Sequence, residues 1–338
     1  ATPVSVEGRA LRMSKLVTIY GGSGFVGRYI AQRMARKGWR VRVAVRRPND
    51  AHFVKPYGVV GQVEPVFCNI RDDDSVRSVM AGADAVINCV GTFDAKGKNN
   101  FDAVQHEGAE RIARIAAELG VARMVHISAI GASEDAPSRY GQTKGMGEEA
   151  VLASMPDAVI LRPSVVFGPE DQFFNRFAGM ARMSPIVPLF GAEAKFQPVY
   201  VDDVAEAASM GAVGDAAPGV YELGGPEVAT FRELITHMLD VIRRRRLVLG
   251  FPFWLGRVMA TVTGAVSSLT GGLAPQPVTS DQLKELTRDN IVSDGARGLA
   301  DLGISPTSME AVLPSYLWMF RPSGQYSALK DSAKNLKH

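Results

Sequence analysis

Hydrophobic positions in the first half of the chain fall into two alternating patterns. Short β-branched runs at Leu16–Tyr20, Arg40–Val45, 63–70, 85–90 and 121–128 have the length and composition of buried strands. Between them, the stretches 25–37, Asp73–Met80 and 101–119 repeat apolar residues at helical spacing, which gives each one apolar face. Strands alternating with helices through residue 160 predict an α/β fold. The expected form is a doubly wound parallel sheet with helices on both faces and a ligand over the carboxyl ends of the strands. The sheet domain is expected over 15–165. A smaller, mostly helical C-terminal lobe is expected over 166–321, interleaved with the sheet around 197–225. Residues 1–14 are polar and read as a flexible arm, and 322–338 as an extended tail carrying Lys330, Lys334 and Lys337.

Between the first strand and the first helix stands Gly21-Gly22-Ser23-Gly24-Phe25-Val26-Gly27. A strand, a glycine turn and a helix aim the helix's first N–H groups above the strand's end, where they and the helix dipole favour a phosphate. Gly21 permits the tight turn, Gly24 lets a pyrophosphate approach the backbone, and Gly27 allows the helix to pack closely on the strand. This is the order of a Rossmann-type dinucleotide site. The second strand ends in Arg46-Arg47, with no carboxylate before Asp50. An acid there would hold a ribose 2′-hydroxyl, whereas arginines suit a 2′-phosphate, so the expected cofactor is NADPH (NADP+) rather than NAD.

A formal net charge of +3 over 338 residues is too small to indicate nucleic acid as a partner. Cys68 and Cys89 fall at predicted strand ends without metal-ligand spacing and read as buried reduced thiols. Asp72, Asp73 and Asp74 open a helix and read as capping, and Asp202-Asp203 as an N-cap and its neighbour. Ser128 closes the fifth strand, and Tyr140 and Lys144 share a helical face four residues apart. A nearby ammonium lowers a phenol's pKa, which would suit Tyr140 to proton transfer. His106 reads as structural.

In this order, Gly21–Gly27, Asn69-Ile70-Arg71-Asp72, Asn88-Cys89-Val90-Gly91, Ser128 and Tyr140-x-x-x-Lys144 resemble the extended or atypical short-chain dehydrogenase/reductase superfamily. The resemblance continues in residues 161–169, 197–204 and 221–226. It implies that Asn69, Ile70 and Ile127 border the cofactor and that Cys89, Val90, Gly91 and Thr92 run along its ribose-phosphate chain. Pro163, Ser164, Val165 and Val166 would lie beside the nicotinamide. The chain departs from the superfamily's catalytic pattern. Ala129 stands where an active serine is common, Gln105 replaces the helix asparagine, and only 12 positions separate Ser128 from Tyr140. These departures favour binding over turnover. The alternatives are an NADP(H)-dependent reductase of a carbonyl or sugar-like substrate, with Tyr140 as acid/base, and a redox-sensing regulator.

From residue 243 the composition changes. Arg243-Arg244-Arg245-Arg246 precedes an apolar stretch containing Phe251, Phe253, Trp254 and Leu255 and running to about residue 269, too interrupted by Gly250, Pro252 and Gly256 for a membrane span. It suits either an anionic membrane surface or partner groove, or the core of the lobe, with the arginines exposed in both cases. Helices are expected at 280–287, 295–302 and 308–320. The phrasing of 286–293, 302–309 and 313–321, with that of 15–27, is similar to the nucleotide-binding accessory subunits of respiratory complex I (NADH:quinone oxidoreductase). That resemblance implies NADPH held without turnover and partners among the other complex I subunits of the peripheral arm and membrane junction, with membrane lipids nearby. It also implies a peripheral place on the inner membrane, on the cytoplasmic face in a bacterium or the matrix face in a mitochondrion.

Overall fold

A computed structural model describes residues 14–92, 97–98, 100–258, 260–261, 279–322 and 324. The arm up to residue 13, the stretch 262–278 and the tail from 325 lie outside the described residues.

The sheet domain contains strands β1 (Leu16–Tyr20), β2 (Arg40–Val45), β3 (Val63–Phe67), β4 (Ala85–Asn88), β5 (Arg123–Ile127) and β6 (Val159–Pro163). Its helices are α1 (Phe25–Arg36), α2 (Asp73–Met80), α3 (Glu107–Glu118) and α4 (Arg139–Ser154). Next in the chain come β7 (Val166–Phe167), α5 (Phe174–Met183), β8 (Ile186–Phe190), β9 (Lys195–Phe196), β10 (Val199–Tyr200), α6 (Val201–Val213) and β11 (Gly219–Leu223), of which α6 and β11 return to the sheet. The chain continues through β12 (Ala229–Thr230), α7 (Phe231–Val241), β13 (Leu247–Phe251), a helix through 253–258 (α8), α9 (Ser280–Glu285) and α10 (Met309–Leu317).

Seven strands form one parallel sheet in the order β11-β6-β5-β4-β1-β2-β3. The chain order reverses between β1 and β4, so the cleft above their carboxyl ends is the topological switch point. Ile30 and Met34 of α1 and Val204 and Ala208 of α6 seal one face of the sheet. Val76 of α2, Ile112 and Ile115 of α3 and Val151 of α4 seal the other. Arg33 ties α1 to α6 with two 2.8 Å bonds to Asp202. The lobe has its own core, in which Phe173 packs on Phe174, Phe177, Phe196 and Phe231.

Several elements differ from the sequence expectation, each for a local reason. The helix expected at 101–119 starts as a π turn, Asp102–His106, before α3. Only Ala300–Leu302 of 295–302 is helical, as a 3₁₀ turn, because Arg297 gives its carbonyl to Glu222 N at 2.8 Å and so runs along β11. Residues 247–251, at the start of the apolar stretch, form a strand that pairs in parallel with β8. Neither aspartate caps α6, whose N-cap is Tyr200. Asp202 holds Arg33, and Asp203 accepts from Thr307 N at 2.7 Å and Thr307 Oγ1 at 3.0 Å. Asp72 does cap α2, accepting from Ser75 N at 2.8 Å. No helix among the described residues is long and apolar enough to cross a membrane.

Candidate functional site

The cleft at the switch point is built first from backbone. Gly21 leaves β1 with φ +74°, in the left-handed region, and its N–H donates to Ala44 O at 3.0 Å. A Cβ at Gly21 would stand 3.2 Å from the Cys89 carbonyl, which shows how closely the turn lies against the end of β4. Gly22 is buried, and a Cβ there would meet Val43 Cγ1 at 3.0 Å. Gly24 is the N-cap of α1 at an ordinary φ of −67°, and it is exposed. The tight position is Gly27, where a Cβ would come within 2.3 Å of Gly21 O. The first turn of α1 holds no acidic residue and no side chain caps it. Its leading amides therefore have no side-chain acceptor, the condition a helix N-terminus needs to take an anion.

Arg28, which the sequence reading did not single out, braces this turn. Its Nε lies 3.3 Å from Gly24 O, its Nη2 3.2 Å from Ser23 O, and its guanidinium 4.7 Å over the Phe53 ring. The signal was present in the spacing, since Arg28 is one helical turn past Gly24 on α1. Phe25 sets its ring edge-on to Tyr29, and Val26 packs on the core of that face. Arg46 and Arg47 are exposed just past β2, and Arg47 stands 3.9 Å from Asp50.

Asn69 and Ile70 form the turn after β3, where Asn69 N donates to Ser75 Oγ at 2.9 Å and Ile70 O accepts from Arg111 Nη1 at 3.0 Å. Past β4, Asn88 Oδ1 accepts from Val90 N at 3.0 Å, and Asn88 Nδ2 faces His126 Nδ1 at 3.1 Å. Burial pushes the Cys89 thiol up to about 12 against the opposing charge of Lys144, which disfavours the thiolate. Gln105 joins the loop to α4, its Nε2 donating to Thr92 O at 2.8 Å and its Oε1 accepting from Thr143 Oγ1 at 2.9 Å. The residue standing in for an asparagine is thus a structural tie.

Lys144 Nζ reaches the end of β5 and donates to Ile127 O at 3.0 Å, 3.7 Å from where Gly91 would carry a Cβ. Burial lowers its pKa to about 8, with the carboxylate of Glu148 and the thiol of Cys89 opposing. Ser128 is buried, and its Oγ has no hydrogen-bond partner among the described residues. An orphaned hydroxyl beside a buried ammonium at the end of β5 fits a polar ligand group. Tyr140 sets its ring 6.0 Å from Phe101. The expectation that Lys144 acidifies the phenol is not met. Burial first, then the Glu285 carboxylate, push the phenol up, and one of the ammonium's three donors goes to Ile127 O.

Pro163 O accepts from Ile130 N at 3.1 Å. Ser164 Oγ lies 2.9 Å from Asn290 O and 2.6 Å from Asn290 Oδ1, and Val165 N donates to the same Oδ1 at 3.1 Å. Val166, half-buried, begins β7. Asn290 thus covers 163–166, a role that local sequence patterning does not disclose.

The basic run lies on the other lobe. Arg243 and Arg245 are exposed, but Arg244 and Arg246 are half-buried, a correction to the expectation of four exposed arginines. Arg244 Nε donates to Phe320 O and Arg246 Nε to Ala181 O, each at 2.7 Å. The aromatics divide as well. Phe251 packs on Phe190 at 6.1 Å and Phe253 lies against Gly191, both half-buried, whereas Trp254 is 64% exposed.

His126 gives a pH dependence. Burial first, and the charge of Lys144 second, lower its pKa to about 3 from 6.5, so the folded state holds it neutral. Its stabilising effect is complete above pH 6.5 and is lost as pH falls and the unfolded chain binds the proton. Between pH 7 and pH 5 the parent should lose about 2 kcal/mol more stability than His126→Asn. Urea titrations at both values check this, and parallel pH profiles would remove His126 from the account.

The family model of the NAD dependent epimerase/dehydratase family matches residues 17–224. The Arabidopsis thaliana protein NADH dehydrogenase (ubiquinone) 1 alpha subcomplex subunit 9, mitochondrial, is 36% identical over 324 residues, which cover 94% of this chain and 81% of that one. The Neurospora crassa NADH-ubiquinone oxidoreductase 40 kDa subunit, mitochondrial, is 30% identical, covering 94% and 83%. Among solved structures, the Thermus thermophilus UDP-glucose 4-epimerase in complex with NAD superposes with a TM-score of 0.67 at 19% identity. It covers 91% of this chain and 99% of that one, a likeness of fold. Glycine cradle, parallel sheet and nearly full-length alignment agree: the chain belongs to the NAD dependent epimerase/dehydratase family, among the subunit 9 proteins of respiratory complex I.

Proposed function

We propose that this chain is an accessory subunit of complex I that holds NADPH in the switch-point cleft without turning it over. In this reading it braces the peripheral arm near the membrane junction. The observation that carries the reading is an imbalance within the cleft. The nucleotide cradle is complete, with an uncapped, acid-free helix N-terminus above the glycine turn. The proton-transfer set departs from the usual pattern, since Ala129 follows Ser128 and the Tyr140 phenol is pushed up by burial and by Glu285.

The leading amides of α1 would hold the diphosphate, Arg46 and Arg47 the 2′-phosphate, and Ser128 and Lys144 the polar edge of the nicotinamide ribose. NADPH would bring a hydride donor to the cleft, and this chain's own residues would bind it, orient it and exclude water from it. A ligand taken up only by the folded state stabilises that state by about 4 kcal/mol at a thousandfold excess over Kd. Nucleotide would thus act as a structural brace for the docking surface.

Relatives of nearly full length are complex I subunits of mitochondria. On that basis the partners are other subunits of the complex. The place is the matrix face of the inner membrane, or the cytoplasmic face in a bacterium. The lobe end bearing Arg243, Arg245 and Trp254 would be turned toward the junction and its lipids.

The cofactor assignment has a direct test. Arg46→Ala with Arg47→Ala should weaken NADPH by about 30-fold or more while shifting NADH by less than about threefold. Titration by intrinsic fluorescence measures both, and an equal loss for the two nucleotides refutes the 2′-phosphate assignment.

A further inference from the structure

The amino ends of β1, β2 and β3, at Leu16, Arg40 and Val63, lie at the end of the sheet opposite the cleft. The link from β2 to β3 comes down to that end and turns back through Val59-Val60-Gly61-Gln62. Gln62 N donates to Val59 O at 3.0 Å and Gly61 has φ +78°, the pattern of a type II turn. Val59 is 74% exposed and Val60 wholly so. Turns are ordinarily built from glycine, proline, asparagine, aspartate and serine, so two adjacent valines at a tip are a departure.

The tip is held firmly. Gln62 Oε1 accepts from Val59 N at 2.9 Å, and its Nε2 donates to Ala35 O at 2.7 Å and to Trp39 O at 3.0 Å. Gln62 O accepts from Val41 N at 2.8 Å. Gly58 makes room for the amide, since a Cβ there would stand 2.4 Å from Gln62 Oε1. One glutamine thus fastens the tip to the end of α1 and the start of β2. A tip fixed in advance loses little freedom when it binds.

Beside the turn is a shallow depression of about 500 Å³, lined also by Ser14, Ala35, Gly38 and Arg40. Its border is basic. Arg36 and Lys37 close α1 next to Gly38, and Lys15 follows Ser14 with its Nζ 5.4 Å over the Trp39 ring. Lys15, Arg36, Lys37 and Arg40 are all exposed, and none has an ion pair among the described residues. The acids of the adjoining strand ends are already taken. Glu64 stands 3.7 Å from Lys55 Nζ, and Asp84 Oδ2 accepts from Leu16 N at 2.8 Å. An apolar tip beside unpaired cations is complementary to a protein segment that sets an apolar side chain among carboxylates. The chain's own residues 1–13 lack that chemistry, since they carry Arg9 and Arg12 against Glu7 alone.

We infer that the Val59–Val60 tip and its basic border are a docking surface for an acidic segment of another subunit, anchored by an apolar side chain on the two valines. The inference rests on the accessory-subunit reading above. It puts a partner on the end of the sheet opposite the nucleotide, so that both can be held at once.

The test installs the photo-crosslinker p-benzoylphenylalanine at Val60 of the full chain, expressed in its native host, and irradiates the gently extracted complex. The expected product is an adduct to one other subunit, within a segment richer in Asp and Glu than in Lys and Arg. Adducts confined to lipid, to a basic segment or to this chain, residues 1–13 included, overturn the surface, as does an irradiated complex with no adduct. In parallel, Val59→Ser/Val60→Ser and Lys37→Glu/Arg40→Glu should each lower the share of chain migrating with the complex about tenfold or more. Nucleotide per chain should stay at the parental value. Full retention of both variants in the complex overturns the surface. If neither variant folds, the adduct at position 60 decides. A parent chain that does not migrate with the complex contradicts the accessory reading itself, and the sizing shows that separately.

Discussion

Gly27→Val is expected to remove bound nucleotide and to lower stability by about 3 kcal/mol or more, at the upper end of overpacking costs. A Cβ at this position would stand 2.3 Å from Gly21 O and 2.7 Å from Gly22 Cα, both backbone atoms. Neither can retreat easily. Gly21 is fixed at φ +74° against the end of β4, and Gly22 is buried against Val43. Relief requires α1 to lift off β1, which also displaces the amides that form the anion site. Gly24→Val is the control. Its φ is −67°, the position is exposed, and an added Cβ meets only Gly21 O, at 3.1 Å. That variant should lose less stability than Gly27→Val, about 1 kcal/mol for a tight contact and a valine N-cap, and still lose nucleotide, because its side chain occupies the approach to the amides. Urea denaturation and nucleotide content read out both. A Gly27→Val protein of parental stability would show that the turn is not packed as described.

Arg162→Leu is expected to cost about 3–5 kcal/mol at pH 7, the range for breaking a buried ion pair from one side. Arg162 on β6 holds Glu148 of α4 through Nε at 2.9 Å and Nη2 at 2.5 Å, and its Nη1 stands 3.6 Å from Glu222 of β11. Both carboxylates are almost wholly buried, at 4% and 7% exposure. Without the guanidinium both carboxylates lose their counter-charge, Glu222 keeping only the bond from Ser293 N at 2.7 Å, and an uncompensated buried charge is costly. Adding Glu148→Gln and Glu222→Gln should recover much of the loss. A deficit not relieved by the two glutamines, read by urea denaturation, would mean that Arg162 acts by packing alone.

The parts of the molecule legible in the sequence are those whose cause is local. The run Leu16–Tyr20, the glycines after it and the apolar spacing of α1 specify strand, turn and helix without help from distant residues. The order of such units predicts the parallel sheet and its switch point. The rest depends on partners far apart in the chain. Asn290 covers Ser164 across 126 positions, and Asp281 reaches Arg139 across 142, so no window of sequence contains either contact. Residues 295–302 look helical by composition, but pairing with β11 overrides that preference at Arg297. The arginine run reads as surface from charge alone. Its two half-buried members are drawn in by carbonyls of Ala181 and Phe320, at the ends of elements that sequence does not place beside them. Tyr140 and Lys144 show the limit most plainly, because helical spacing puts them on one face but cannot say that the ammonium is bonded to Ile127 O.

Gentle detergent extraction of native membranes, followed by sizing and nucleotide analysis of whatever contains this chain, bears most directly on its role. The expected result is migration with NADH:quinone oxidoreductase activity and about one NADPH per chain, retained through turnover of the complex as a bound brace. A chain that runs alone in the soluble fraction and exchanges its cofactor freely would contradict the accessory role and return the cleft to the reductases.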